Sequence, residues 1–201
     1  MIINPTSLNT EEIRRMGGNA LVPRPIILIS TIGEDNILNV APFSLVTQIC
    51  IKPLLLGISV IRRRTGAKKD TLINIEKSGE FTANLVCDEM AEAMNIASRN
   101  FTGEIDEFQE SGLTPAASQV VRPPLVAQSP INLECKLVQI LEFGSTKRVS
   151  NLIIGEVIRI HVKEEYFNDG RILLKDLKAL GNIGGNYYCR TSDIFEMQRL
   201  R

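Results

Sequence analysis

The chain has 201 residues, 44% of them hydrophobic, which is long enough to bury the core of one domain. Lys plus Arg and Asp plus Glu both number 23, so the formal net charge is zero. A neutral chain has no overall field that would recruit nucleic acid or an acidic membrane surface. We therefore expect one domain over residues 1–201, no nucleic-acid or membrane partner, and a local site for any anion.

The N-terminal residues lack a basic leader followed by an apolar run, and no later segment approaches the roughly 18 apolar residues of a membrane span. This pattern predicts a cytoplasmic protein. The four cysteines are 37, 48 and 54 residues apart, which fits neither a CxxC motif nor a small disulfide framework. We expect reduced, mostly buried thiols at Cys50, Cys87, Cys135 and Cys189.

The apolar pattern is mainly that of short strands separated by turn residues. The predicted strands are residues 26–32, 38–51, 54–61, 80–86, 131–143, 152–162 and 194–198. Residues 33–36 and 168–170 read as hairpin turns, so neighbouring strands should pair antiparallel. Closure into a barrel would remove exposed strand edges, which favours a mainly β barrel with few helices.

Three helices are predicted between the strands. The first spans residues 9–16, where Asn and Thr side chains can cap its start. The second begins with Asp70 or Thr71 as its N-cap and ends at Gly79, a residue suited to a left-handed C-cap. The third spans residues 88–98 and presents apolar side chains to the core.

Residues 100–130 are rich in Gly, Pro, Ser and acidic side chains. Structureless loops of this length are uncommon in compact domains unless they cover a site or a subunit contact. The composition therefore predicts a long excursion over the surface that acts as a lid or a dimer arm.

Several familiar catalytic constellations are missing from the sequence. His161 is the single histidine, so a zinc site with paired histidines cannot be built. The sequence has no GxSxG elbow, no Walker loop and no GxGxxG after a strand. Few conventional catalytic side chains remain, which favours chemistry carried by a bound cofactor.

The segment RRRTGAKKDT, residues 62–71, concentrates five basic residues just before a predicted helix. Free N–H groups and the positive end of the helix dipole attract an anion there, and Lys, Arg and Thr side chains add charge and hydrogen bonds. A phosphate would suit this segment. A solvated basic turn with no ligand is an equal alternative on the local sequence alone.

The segment NVAPFSLVT, residues 39–47, has a strand pattern interrupted by Pro42, which cannot donate to a ladder. The proline predicts an edge or a bulge. Exposed backbone groups beside it could bind the polar edge of a planar ligand, with Ser44 and Thr47 contributing hydroxyls. Taken alone, a bulged edge strand without a ligand is the favoured interpretation.

An ordered set of segments resembles the flavin reductase-like, FMN-binding split-barrel family. The matching segments are RPIILIST (24–31), NVAPFS (39–44), KDTLINI (69–75), GEFTANLV (79–86), DEFQESGLT (106–114), SPINLEC (129–135), GEVIRIHV (155–162) and residues 184–188. The resemblance implies a six-stranded antiparallel Greek-key split barrel with flanking helices. It also implies a homodimer with FMN bound near the subunit interface.

The resemblance also assigns roles to individual residues. The residues implied to bind the cofactor are Asn39, Ala41, Pro42, Phe43, Ser44, Thr47, Arg64, Lys69, Asp70 and Thr71. Asp70 is included for its position, since its charge opposes a phosphate. His161 matches a position where similar reductases often carry a histidine near the flavin or nicotinamide. Many relatives carry a basic residue where this chain has Asn182, so nicotinamide or phosphate contacts from that segment are open.

Three functions remain open after the resemblance. The first is an NAD(P)H-dependent flavin reductase that transfers hydride from NADH or NADPH to FMN. The second is a flavoredoxin-like FMN electron-transfer protein that serves a redox protein partner and has no nicotinamide site of its own. The third is a flavin-binding or purely structural dimer whose enzymatic role has been lost. The reductase is the favoured interpretation.

Overall fold

The structure, a computed structural model, describes residues 1–144 and 149–198. The α-helices are α1 Thr10–Ala20, α2 Asp70–Ser78, α3 Ala91–Ala97 and α4 Glu107–Ser111. The strands are β1 Arg24–Pro25, β2 Ile27–Ile32, β3 Leu38–Phe43, β4 Val46–Cys50, β5 Leu55–Ile61, β6 Glu80–Leu85, β7 Pro115–Ala116, β8 Leu125–Val126, β9 Ile131–Phe143, β10 Ser150–Val162, β11 Phe167–Asn168, β12 Arg171–Ile172, β13 Leu180–Gly184 and β14 Tyr187–Arg190.

Seven strands form one antiparallel sheet in the order β3-β2-β6-β9-β10-β5-β4. The two edge strands, β3 and β4, are consecutive in the chain and are separated only by Ser44 and Leu45. The N–H of Ser59, on β5, donates to the carbonyl of Leu45 at 2.9 Å. The predicted single strand 38–51 is therefore a bent segment whose halves form both edges. Counted as one strand, it closes a six-stranded barrel, and the expected mainly β architecture with flanking helices is confirmed.

Pro42 accounts for part of this geometry. It lies on β3, opposite Leu28 of β2, with no further strand beyond it. A proline has no N–H for a second ladder, so a strand that contains it is tolerated at an edge. The edge position predicted for Pro42 is confirmed.

The barrel interior is packed around Phe81, which is fully buried together with Ile58 and Ile153. Burying a side chain of this size contributes roughly 2 kcal/mol to stability. Gly155, on β10, leaves the space that the Phe81 ring fills, because a Cβ at position 155 would overlap the ring. Any larger residue at 155 would displace the ring from the core.

A second core lies outside the barrel wall, between the sheet and helices α3 and α4. Residues 100–130 contribute to it, since Phe108 is 1% exposed and Val126 is fully buried. The prediction of a structureless excursion is thus wrong, because the segment folds into α4 and the paired strands β7 and β8. Its role as a lid or a dimer arm stays a prediction. Its apolar residues are scattered among Gly and Pro, and this spacing gives no sign of a short helix or of two strands of two residues each.

The C-terminal part differs from the prediction. Strands β13 and β14 form a hairpin that pairs with β1, and the predicted strand 194–198 is wrong, because residues 192–198 belong to no strand and Phe195 is 76% exposed. The hairpin escaped prediction because Gly181, Gly184 and Gly185 break its apolar alternation.

Local predictions were mostly confirmed. Asn9 caps α1 through a reciprocal capping box with Glu12, and Gly79 ends α2 in the left-handed conformation at φ 68°. Both predicted hairpin turns join antiparallel strands. All four cysteines are free, two of them buried and two half-buried. Within residues 1–144 and 149–198, no helix has the length and apolar character needed to cross a membrane.

Candidate functional site

A groove runs along the outer edge of β3, from the start of α2 to the C-terminal hairpin. Its first part is lined by residues of β3, the start of α2, the end of α3 and the segment that follows it. Its second part continues past Pro42 and Ser98, which line both parts. We call the first part the basic end and the second part the ring end.

The basic end collects Arg63, Lys69 and Asp70 at the N-terminus of α2. Arg63 donates to the Asp70 carboxylate at 2.6 Å, and the Lys69 ammonium lies 5.2 Å from the centre of the Phe43 ring. Burial lowers the pKa of Lys69 below its ordinary value, and the Arg63 charge lowers it further. The site therefore holds a desolvated cation beside a helix N-terminus, which is an arrangement that favours an anion.

The start of α2 corrects one expectation. Lys69 occupies the N-cap position and makes no side-chain cap, so neither Asp70 nor Thr71 caps the helix. Asp70 is the first helical residue, and Arg63 holds its carboxylate. The Lys69 side chain therefore leaves the N-terminal N–H groups of α2 uncapped, and Arg63 compensates the Asp70 charge.

Beneath the groove lies a buried polar network centred on Asn39. Its Oδ1 accepts hydrogen bonds from the hydroxyls of Thr31 and Thr71, both at 3.0 Å. Asn74 donates to the Thr31 hydroxyl at 3.0 Å, and the Nδ2 of Asn39 donates to the Glu107 carboxylate. The predicted residues Asn39 and Thr71 are thus brought together, but their polar atoms are engaged with each other.

Glu107 is a residue of the groove that the sequence interpretation missed. It lies on α4, is 6% exposed, and accepts the N–H of Val40 at 2.7 Å. Burial raises the pKa of Glu107 to about 7; the Val40 hydrogen bond opposes the rise and the Asp70 charge adds to it. A helix signature could have located it, since Asp106 is an N-cap and Gly112 a left-handed C-cap.

The ring end is lined by Phe43 and Ser44 on one side and by Met94, Asn182 and Tyr188 on the other. Its lining therefore combines apolar and aromatic side chains with three polar residues, Ser44, Ser98 and Asn182. Such walls suit the faces of a planar ligand, whose polar edge would meet the β3 backbone.

Arg24 bears on the open question about Asn182. Its guanidinium donates to the Asn182 side-chain oxygen and to the carbonyl of Gly18. Arg24 and Asn182 also face each other across the β1–β13 pair. A basic group therefore stands beside position 182, although it comes from another strand.

Three predicted residues lie outside the groove. Thr47 is exposed on β4, where its hydroxyl contacts the Gln48 carbonyl at 3.4 Å. Arg64 has an 83% exposed side chain that approaches Glu11 at 3.9 Å. His161 contacts the Glu134 carboxylate at 2.6 Å. His161 lies on β10 and lines neither part of the groove.

A larger cavity of about 640 Å³ adjoins the ring end. Met94 and Tyr188 line both spaces. The other walls come from α3 and from the β13–β14 hairpin, where Arg190 forms an ion pair with Asp88 at 2.8 Å. A second ligand in this cavity would lie next to a ligand at the ring end.

Comparisons with known proteins give consistent results. A family model described as a flavin reductase like domain matches residues 17–188. Nitrilotriacetate monooxygenase component B from Bacillus cereus is similar at a TM-score of 0.94 and 29% identity, over 98% of both chains. The 2-nitrobenzoate 2-nitroreductase of Pseudomonas fluorescens is similar at 0.90 and 28%, over 100% of this chain and 96% of that one. The flavoredoxin of Desulfovibrio vulgaris, at 0.76 and 22% over 88% and 91% of the chains, shares the fold.

Proposed function

The chain belongs to the flavin reductase-like family, and from this premise we propose that it binds FMN in the β3 groove and transfers hydride to it from NADH or NADPH. One observation carries the proposal: along an edge strand, a basic pocket at a helix start adjoins a second pocket lined by apolar, aromatic and small polar residues, and the two share Pro42 and Ser98. FMN has the matching parts, namely a phosphate, a polar chain and a planar ring.

The basic end fits the phosphate. Lys69 supplies a partly desolvated charge, and the uncapped N–H groups at the start of α2 supply donors. Arg63 holds the Asp70 carboxylate, which reduces its repulsion of an anion. Thr71 is 2% exposed and donates to Asn39, so its role is to hold the helix start in place.

The ring end fits the isoalloxazine. Ala41, Pro42 and Ser44 line the groove beside the outer edge of β3, which has no strand partner. Phe43 is 7% exposed, and it supports Lys69 through a cation–π contact. FMN, when bound here, supplies the ring position that accepts hydride.

The adjoining cavity favours the reductase over the electron carrier. A reductase needs room for a nicotinamide beside the flavin ring, whereas a carrier does not. The cavity of about 640 Å³ lies beside the ring end, where a nicotinamide would have to bind. Its apolar side is formed by Ala91, Met94 and Leu180. Hydride transfer depends on the orientation of two stacked rings more than on an acid or a base. An apolar cavity wall can orient a ring through the shape of its surface.

We also propose a homodimer that uses the β4 edge. Leu45, Ile49 and Ile51 are 41%, 45% and 83% exposed along this segment, and neighbouring apolar exposure of this kind marks contact surfaces. Thr47 lies in the same segment, so any contact of Thr47 with flavin requires the partner subunit. Sedimentation of the purified protein would give twice the chain mass for a dimer, and the chain mass would refute it.

Flavin binding is tested by titrating the protein with FMN and with riboflavin. FMN should bind at least about tenfold more tightly, because only FMN carries the phosphate that the basic end would hold. Equal affinities would refute the phosphate assignment. Oxidation of NADH or NADPH that depends on added flavin would then separate the reductase from the flavoredoxin-like alternative, which should oxidise neither.

A further inference from the structure

Glu107 occupies an unusual position in the groove. Its carboxylate is buried on the short helix α4, which is itself fixed at both ends. Asp106 caps it by accepting the N–H groups of Phe108 and Gln109 at 2.9 and 3.2 Å, and the Ser111 hydroxyl donates to the Glu107 carbonyl at 2.6 Å. A carboxylate on such a fixed helix can hold other groups in place.

Glu107 binds two neighbouring groups of β3 with one oxygen. Oε2 accepts the backbone N–H of Val40 and the side-chain amide of Asn39. Val40 is fully buried, so its N–H would lose a partner without the carboxylate. Leaving a buried N–H unpaired is unfavourable, which makes this hydrogen bond a strong constraint on the edge of β3.

Asn39 extends the constraint to the other side of the groove. Its Oδ1 accepts the hydroxyl of Thr71 in the first turn of α2. One chain of hydrogen bonds, Glu107 to Asn39 to Thr71, therefore connects α4, β3 and the start of α2. The ring end depends on β3, and the basic end depends on α2.

We propose that Glu107 is a positioning residue of the flavin site, which fixes the β3 edge and the start of α2 relative to each other and carries a proton when an anion occupies the basic end. The inference rests on the proposed function, because it assumes that FMN lies in this groove.

The charges around Glu107 give the direction of the proton effect. From the start of α2 it meets the like charge of Asp70 and the positive charge of Lys69; Arg63 faces it from the preceding segment and Asp106 from its own helix. Arg99 lines the same cavity. A phosphate added here would favour the neutral carboxyl, as burial already does.

Anion binding and ionisation of Glu107 therefore oppose each other. Below pH 7 the carboxyl is mainly neutral, so a phosphate binds without a buried like charge nearby. Above pH 7 the carboxyl must take up a proton or remain as a repelling charge. Affinity for FMN should fall as pH rises through about 7, and affinity for riboflavin, which lacks the phosphate, should not.

The test measures FMN and riboflavin affinity at pH 6 and pH 8 for three variants. Glu107→Gln keeps an oxygen that accepts from Val40 and Asn39 but has no charge. Glu107→Ala removes the acceptor. Glu110→Gln removes a charge from an exposed position on the same helix and is the matched control. Comparison with wild type at each pH cancels the titration of the FMN phosphate itself.

At pH 6 we expect Glu107→Gln to bind FMN within about twofold of wild type, and Glu107→Ala at least about tenfold more weakly. At pH 8 Glu107→Gln should bind FMN several-fold more tightly than wild type, with no such gain for riboflavin or for Glu110→Gln. Thermal unfolding shows whether Glu107→Ala is folded; if it is not, the glutamine variant decides.

Two results would overturn the inference in distinguishable ways. If wild type binds FMN but Glu107→Gln follows the same pH dependence, Glu107 does not carry the proton and the proposed function stands. If wild type does not bind FMN at either pH, the flavin site itself is refuted and the inference fails with it.

Discussion

The ammonium of Lys69 lies 5.2 Å from the centre of the Phe43 ring, so one contact joins the two ends of the β3 groove. Lys69 precedes α2, whereas Phe43 ends β3 and packs into the barrel interior. The cation is held over an aromatic face and partly removed from water, where its attraction for an anion is stronger than at an open surface.

Lys69→Met should weaken FMN binding about tenfold and leave riboflavin binding unchanged. Methionine keeps an apolar contact with Phe43 but removes the charge that would hold the phosphate. Lys68→Met is the control, because Lys68 is paired with Glu76 at 2.7 Å outside the groove. Fluorescence titration measures all three proteins, and equal FMN affinity in Lys69→Met and wild type would contradict the phosphate position.

Thr71→Val should lower the free energy of unfolding by about 1 kcal/mol. Thr71 is buried, and valine has nearly its shape but cannot donate to Asn39. Urea denaturation measures the change against Thr102→Val, which alters an exposed residue. No difference between the two variants would show that the Asn39 network contributes little. A double variant of Lys69 and Thr71 would mix both effects, so the two residues are better changed separately.

Glu107 should also make stability depend on pH. Its pKa in the folded protein is about 7, raised from 4.5, so the folded state retains a proton that the unfolded state has lost. Stability from this group falls between about pH 4.5 and 7, by at most roughly 3 kcal/mol. Glu107→Gln should lack this part of the decline. Denaturation at pH 5 and pH 7 tests it, and parallel declines in variant and wild type would refute it.

Glu134 should change the pH dependence of stability in the opposite direction from Glu107. Burial would raise its pKa, but the N–H of Gln119, the His161 ring and the N–H groups of Val120 and Val121 together hold the pKa below its ordinary value. Glu134→Gln should lose roughly 2 to 4 kcal/mol of stability at pH 7, since its amide would face backbone donors.

The cost of Glu134→Gln should shrink as pH falls below about 4.5, because the unfolded chain then takes up a proton at this carboxyl, and the contribution is fully lost once pH falls through the lower pKa of the folded protein. Glu196→Gln, at an exposed position in the C-terminal segment, provides the baseline. A cost that does not change with pH would mean that the charge of Glu134 is not what holds residues 119–121.

His161→Leu should reduce stability by about 1 kcal/mol and leave the rate of flavin reduction within about threefold of wild type. Its ring contacts Glu134, and it lines neither part of the groove within one subunit. Stopped-flow reduction and thermal unfolding of the same sample measure both quantities. A rate loss of about a hundredfold with unchanged stability would instead assign His161 to the flavin site, reached from the partner subunit.

Much of the barrel could be predicted from the sequence, because its strands carry long apolar runs bounded by turn residues. Residues 131–143 were predicted with the bounds that the structure has. The bend after Pro42 was harder, since alternation continues through Ser44 and Leu45 and only closure of the barrel reveals two strands. Residues 194–198 include three apolar residues whose pattern is typical of a strand, but all three are exposed. The segment pairs with no strand edge.

The candidate site was predicted in part, for a related reason. Ala41, Pro42 and Lys69 lie at sequence features that local analysis detects. These features are the proline inside a strand pattern and the basic segment just before a helix. Glu107 is remote from β3 in sequence, and its role depends on α4 packing against that strand, which no local pattern reports. Asn39 and Thr71 were both predicted as cofactor-binding residues, but the hydrogen bond between them becomes apparent only in three dimensions.

The most direct test of the central claim is the visible absorption spectrum of the FMN-loaded protein, followed anaerobically after addition of NADH and, separately, NADPH. We predict rapid bleaching of the flavin band by at least one nucleotide, faster than with free FMN. Bound FMN that neither nucleotide bleaches would contradict the reductase and favour an electron carrier, and an absence of FMN binding would contradict the flavin site.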